Sequence, residues 1–202
     1  TTNLYDDWYH SLIEDSNDEY WVAWMSWRKN NYDIWCSNSK DGTNWSEPIQ
    51  ITRNISTDWA PHLIQDSSDI YWIVFSSGRS GNKDIWYVTS ADGKNWSSPI
   101  QFTTDSAEDD CPSIVQDSKG TYWIVWYSTR QEKKDIYYSS STDGITWATP
   151  TLLSDQESTN MFPFIIQDSD DNYWITWTSD RSDGLGDIWY CTSENGNIWS
   201  TP

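Results

Sequence analysis

A chain of 202 residues with 31 Asp plus Glu against 12 Lys plus Arg carries a formal charge of −19, which repels nucleic acid phosphates and anionic lipid surfaces and leaves cations, neutral ligands or basic partners. No apolar run is long enough to cross a bilayer and no basic start leads into an apolar stretch, so the sequence reads as soluble, any export signal having been removed or never included. Cys36, Cys111 and Cys191 fall at unlike places with no metal-ligand spacing. They read as packed thiols rather than a zinc site or a disulfide framework.

The chain repeats itself. Asp33, Asp84, Asp135 and Asp187 open four Trp-rich phrases at steps of 51, 51 and 52 residues, a period of one supersecondary unit. Tyr20-Trp21, Tyr71-Trp72, Tyr122-Trp123 and Tyr173-Trp174 keep step, as do Arg28, Arg79, Arg130 and Arg181. The repeat runs without a linker, which argues for a single domain over 1–202.

Within one unit, taken in chain order in the second copy, the predicted elements are four short strands. His62–Gln65 is a β-capable run that ends at Asp66-Ser67-Ser68-Asp69, whose short polar side chains favour a turn. Tyr71–Ser76 follows, apolar at both alternations, as a strand covered on both faces must be. A loop with Gly78 and Gly81 leads to Asp84–Thr89; Asp92-Gly93 turns the chain, and Pro99–Phe102 forms the last strand, with proline at its start. Four antiparallel strands per copy, packed between neighbouring copies, are a β-propeller blade. The predicted fold is all-β, a β-propeller of four four-stranded blades of ~51 residues, as a closed four-bladed ring or an arc of a larger propeller. The blades fall near 8–52, 59–103, 110–154 and 161–202, the last lacking most of its outer strand.

The turn phrases Ser39-Lys40-Asp41-Gly42-Thr43-Asn44-Trp45, Ser90-Ala91-Asp92-Gly93-Lys94-Asn95-Trp96, Ser141-Thr142-Asp143-Gly144-Ile145-Thr146-Trp147 and Ser193-Glu194-Asn195-Gly196-Asn197-Ile198-Trp199 resemble the Asp box of sialidase-like (bacterial neuraminidase repeat) propellers. Each is one residue short between Asp and Gly, and Asn195 replaces the aspartate in the fourth. The resemblance implies a structural hairpin between third and fourth strands, away from the ligand face. Ser77-Gly78-Arg79 leading into Asp84-Ile85-Trp86 is similar to a phrase of TolB-like propellers, and the repeated arginine reads as a tie within or between blades. No residue can be given the arginine, tyrosine or acid/base roles of a sialidase, and fold alone does not confer activity.

Repeated positions read as scaffold, so function is sought where the repeat breaks. Trp8 and Trp59 share one position, held by Asp110 and Met161 in the other copies, at the entrance to the first strand. Together with Tyr9, their ring faces suit the apolar faces of a sugar, while Asp7, Asp58, Asp109 and Asn160, one residue earlier, would hold hydroxyls. Asp7, Asp58 and Asp109 are also the candidate ligands of a hard cation such as calcium, although no cofactor is required. The reading is a non-catalytic, extracellular or cell-surface module that recognises a glycan. The surface location rests on the acidic, Asn/Ser/Thr-rich composition and on the sequons Asn44-Trp45-Ser46, Asn54-Ile55-Ser56 and Asn95-Trp96-Ser97. Two alternatives stand beside it: a sialidase-like or other glycoside hydrolase propeller using two of Asp7, Asp58 and Asp109, which needs suitably spaced carboxyls, and a structural surface-array or assembly repeat without small ligand, self-associating through the open edge of its incomplete last blade.

Overall fold

A computed structural model describes residues 5–28, 30–154, 157–181 and 184–202. The described residues form fifteen strands in three four-stranded sheets and one three-stranded sheet, all antiparallel, and no helix. The chain divides into two compact units, Thr1–Asp105 and Ser106–Pro202. Each holds two consecutive sheets, the blades of a β-propeller.

In unit 1, blade 1 is β1 (Asp7–Glu14), β2 (Tyr20–Ser26), β3 (Asp33–Ser39) and β4 (Ile49–Gln50), and blade 2 is β5 (Asp58–Gln65), β6 (Tyr71–Ser77), β7 (Asp84–Ser90) and β8 (Ile100–Gln101). In unit 2, blade 3 is β9 (Asp109–Gln116), β10 (Tyr122–Gln131), β11 (Lys133–Ser141) and β12 (Thr151–Leu152), and blade 4 is β13 (Asn160–Gln167), β14 (Tyr173–Ser179) and β15 (Asp187–Ser193). Strands lie in sequence order in every sheet, because tight turns join neighbours and antiparallel strands need no crossover. The first strand begins earlier than its apolar run suggests, at Asp58 rather than His62, since the ladder passes through a bulge opposite Ser76 and Val74.

That bulge recurs. Tyr9, Ala60, Cys111 and Phe162, one repeat apart, have φ of 46°, 50°, 52° and 55°, a region costly to side chains with a Cβ. Four non-glycine residues hold it at the same place because the bulge re-aims the start of each first strand.

Blades pack face to face within each unit. Blade 1 gives Trp21, Ala23, Met25, Ile34 and Cys36 to one core, and blade 2 gives Leu63, Tyr71, Ile73, Phe75 and Val88. Unit 2 repeats the arrangement with Trp123, Val125 and Ile136 against Ile165, Tyr173, Ile175 and Trp177. The trailing face of one blade thus covers the leading face of the next. Cys36 and Cys191 are buried and Cys111 half-buried, all as free thiols.

The repeated tryptophans have distinct polar anchors. Trp21, Trp72, Trp123 and Trp174 donate their indole N–H to Oδ2 of Asp15, Asp66, Asp117 and Asp168. In each case the other carboxylate oxygen accepts two backbone amides of its own turn, as Asp15 does from Asn17 and Glu19. In the phrases after the third strand, Asp41 and Asp92 likewise accept amides, Thr43 with Asn44 and Lys94 with Asn95. Those donors hold both carboxyls well below the usual carboxylate range. The turn is a structural device, closed by Trp45 and Trp96 donating to the carbonyls of Gly42 and Gly93.

Candidate functional site

In blades 2 and 3 the acidic position singled out from the repeat is tied to the repeated arginine of its own blade. Nη2 of Arg79 donates to both oxygens of Asp58 at 2.8 and 2.7 Å. Arg130 donates to Oδ2 of Asp109 at 2.7 Å, while the Trp126 indole takes Oδ1 at 3.0 Å. Asp58 and Asp109 have no exposed surface, and a buried carboxylate is stable only with partners of this kind. Asn160 is buried too, its carbonyl oxygen accepting from the Trp177 indole at 3.0 Å. The guanidinium groups also lie over aromatic rings, Arg79 over Trp86 and Arg130 over Tyr137.

Blade 1 departs from this pattern. Arg28 stands 3.8 Å from Oδ2 of Asp7, and both side chains keep some exposure; the Trp24 indole bonds Oδ1 at 3.2 Å. Arg28 keeps the ring contacts of its counterparts, over Trp24 and Trp35 at 5.6 and 4.6 Å from their centroids. The loosened pair lies in a cleft of about 670 Å³ lined by Asp7, Trp8, His10, Trp24, Arg28 and Trp45, with Glu47 at its rim. Trp8 and Tyr9 are exposed, and Tyr5 and Trp27 add exposed rings on the same blade. Ring faces, a carboxylate pair and a guanidinium in one open cleft can stack a ring-shaped neutral ligand and bond its hydroxyls.

Of the residues expected from sequence, Asp7 and Trp8 meet in this cleft and Tyr9 adjoins it on the bulge. Trp59 does not join them. It is half-buried against the core of unit 1, with Nζ of Lys83 4.8 Å from its ring. Asp58 lies closed in blade 2, and Asp109 and Asn160 belong to unit 2. Among the described residues no three His, Cys, Asp or Glu side chains are grouped so as to hold a metal ion; Asp7, Asp58 and Asp109 each face an arginine instead. Arg28, Trp24 and Trp45 were read from sequence as scaffold, and His10 was not among the expected binding residues. Arg28, Trp24 and Trp45 occupy repeated positions, and repetition conceals that the blade 1 pair is looser than those of blades 2 and 3.

No model of a protein family and no curated protein matches this sequence. Solved structures do. A protein of unknown function from Dyadobacter fermentans superposes with a TM-score of 0.79 at 18% identity, over 97% of this chain and 69% of that one. An endo-arabinase from Bacteroides thetaiotaomicron gives 0.71 at 17%, over 95% and 78%, and the Hadza microbial sialidase Hz136 gives 0.77 at 14%, over 96% and 46%. The chain therefore spans from under half to about three quarters of their lengths, and at such identities the likeness is one of fold. This chain is an all-β protein of the β-propeller fold, similar in that fold to glycoside hydrolases and a sialidase.

Proposed function

We propose that the chain is a non-catalytic binding module of propeller fold, working outside the cell or on its surface, and that the blade 1 cleft holds a carbohydrate. The observation that carries this reading is the loosened Asp7–Arg28 pair at 3.8 Å in one cleft with exposed Trp8, where blades 2 and 3 close the same pair at 2.7 Å. Trp8 stacks on the sugar ring, and Asp7, Arg28 and Glu47 bond its hydroxyls. Glycoside hydrolase relatives in fold make a sugar a natural ligand class for the scaffold. The commitment of Asp58 and Asp109 to buried ion pairs supports binding over hydrolysis, since neither is placed to exchange a proton with a substrate.

Calorimetric titration with arabinobiose, cellotriose and a sialylated trisaccharide tests the reading, together with product analysis after long incubation. One of these sugars is expected to bind, and Trp8→Ala to weaken it ~10-fold, about 1.4 kcal/mol. Absence of binding by folded protein at millimolar sugar sinks the glycan reading; released monosaccharide sinks the non-catalytic one.

A further inference from the structure

We infer that the cleft between blades 1 and 2 of unit 1, beside the β1–β2 turn, is a second binding site, built for a neutral polyhydroxyl ligand: a sugar unit held through its hydroxyls, without ring stacking. The inference goes beyond the blade 1 cleft and does not depend on its occupancy.

This cleft has a volume of about 550 Å³, within the range of small-molecule sites, and all of its lining residues belong to unit 1. Its floor is rigid. Trp21 and Tyr71 stand 4.9 Å apart between ring centroids and are 3% and 5% exposed. The Tyr71 hydroxyl donates to Oδ2 of Asp15 at 2.5 Å, and the Trp21 indole donates to the same oxygen at 2.9 Å. Above that floor blade 1 gives the wall Asn17, Glu19, Asn38 and Lys40. Blade 2 gives the facing wall, with Gln65, Asp69, Ala91 and Lys94.

Comparison of the repeats separates floor from walls. The joint between blades 3 and 4 inside unit 2 keeps the floor: Tyr173 and Trp123 donate to Oδ2 of Asp117 at 2.6 and 3.0 Å. Its walls differ. Thr121, Ser140 and Thr142 stand where unit 1 has Glu19, Asn38 and Lys40, and Glu194 and Asn197 stand where it has Ala91 and Lys94. A floor common to both joints serves packing, whereas groups found in one joint alone need another reason. Glu19 is held in place, with Nζ of Lys40 3.1 Å from Oε1 and Asn38 donating to Oε2 at 3.0 Å. Gln65 differs in its bonding. The side-chain NH2 of its counterpart Gln167 donates to the Asp171 carbonyl at 3.2 Å. Among the described residues Gln65 uses only its oxygen, which accepts the Ser16 amide at 2.8 Å, so its NH2 remains for the cleft.

What the walls leave unspent defines the ligand. Asp15 accepts the amides of Asn17 and Glu19 on Oδ1 besides the two bonds on Oδ2. Asp92, also in the lining, accepts the amides of Lys94 and Asn95 on Oδ1 and the Asn95 side chain on Oδ2. Capacity is left on the ammonium groups of Lys40 and Lys94, on the Gln65 NH2 and on Oδ2 of Asp69, whose Oδ1 accepts from Ser16 at 2.7 Å. Asp15, Glu19, Asp69 and Asp92 outnumber the two lysines, so an anion meets an excess of like charge. A cation meets carboxylates already engaged and two ammonium groups beside them. A hydroxyl both donates and accepts, so a neutral polyol satisfies the lysines and Asp69 together. The buried floor rings offer no face for stacking, which sets this mode of binding apart from that of Trp8.

Heteronuclear NMR spectra of the intact chain, titrated separately with cellotriose, galacturonate and glucosamine, test this through the side-chain amide signals of Asn38 and Gln65. Cellotriose is expected to shift both saturably, with a dissociation constant on the order of 1–10 mM, in the parent and equally in Trp8→Ala. The anionic and cationic sugars are expected to bind at least ~10-fold more weakly. Ala91→Glu brings in the residue type of its unit 2 counterpart, and Lys94→Ala removes an ammonium; both positions are exposed, and each change is expected to weaken cellotriose ~10-fold. Shifts that fail to saturate by about 100 mM sugar, shifts undiminished in both variants or lost in Trp8→Ala, or a charged sugar binding as tightly as cellotriose overturns the inference. Trp8→Ala reads the two sites apart, because the Asn38 and Gln65 signals respond whether or not the blade 1 cleft holds a sugar.

Discussion

The indole of Trp21 occupies the space that a Cβ at residue 93 would need: a methyl built there would lie 2.1 Å from the ring, and Gly93 has φ of +66°. Two independent reasons thus demand glycine. Gly42 has nearly the same φ, +68°, and no such neighbour. Gly42→Ala is expected to cost the conformational penalty alone, about 1–2 kcal/mol. Gly93→Ala adds overpacking and should cost roughly 2–5 kcal/mol. Urea unfolding of the two variants measures the difference; equal losses would refute the close packing of Trp21.

Asp33 predicts an unusual pH dependence. Burial, and next the charge of Asp58, raise its carboxyl from the ordinary 3.8 to about 6. The folded state therefore takes up this proton more readily than the unfolded chain, so acidification from pH 7 through 6 toward 4 gains stability from this group, and the gain is lost as pH rises through 6. Asp15 and Asp117 act oppositely. Burial raises their pKa, but the hydroxyls of Tyr71 and Tyr173 with the turn amides outweigh it and bring each below 3.8, so their contribution holds above that pH and fails below it. Asp33→Asn is expected to be more stable than the parent at pH 7, on the order of 2 kcal/mol, with the advantage shrinking toward pH 4.5. Parallel pH profiles of the two proteins would expose the error if the advantage stays constant.

The three arginine–aspartate pairs should not be equal. Arg79→Ala and Arg130→Ala strand a buried carboxylate and are expected to cost about 3–5 kcal/mol each. Arg28→Ala touches a pair already at 3.8 Å and partly exposed, and should cost about 1 kcal/mol or less while weakening sugar binding. Equal destabilisation by all three would remove the distinction on which the cleft rests.

Chelation offers a direct check on the acidic positions. A cation held at 100 times its dissociation constant would add about 2.7 kcal/mol. With Asp58 and Asp109 enclosed by arginines, the expected melting temperature is the same in calcium and in chelator. A clear rise with calcium would show that the carboxylates rearrange around an ion.

Much of this was legible in one dimension. The 51-residue step located the blades because a blade buries its sheet only against another of its kind, and strict repetition records that need in the residue types. Tyr71–Ser76 read as covered on both faces, and all seven residues of β6 are buried. The candidate cleft was legible only in part: Trp8 broke the repeat and lines the cleft, while Trp59 broke it identically and packs against the core of unit 1.

What repetition hides is neighbourhood. Ile34, Ile85, Ile136 and Ile188 are the same residue in the same phrase, and local sequence has no means of stating that three are covered and one is not. The sequence by itself determined strand, turn and blade, because hydrogen-bonding turns and alternation are local. Tertiary structure decided which aspartate is loosely held by its arginine and that Trp59 packs on the core of unit 1, because exposure depends on what lies across the interface.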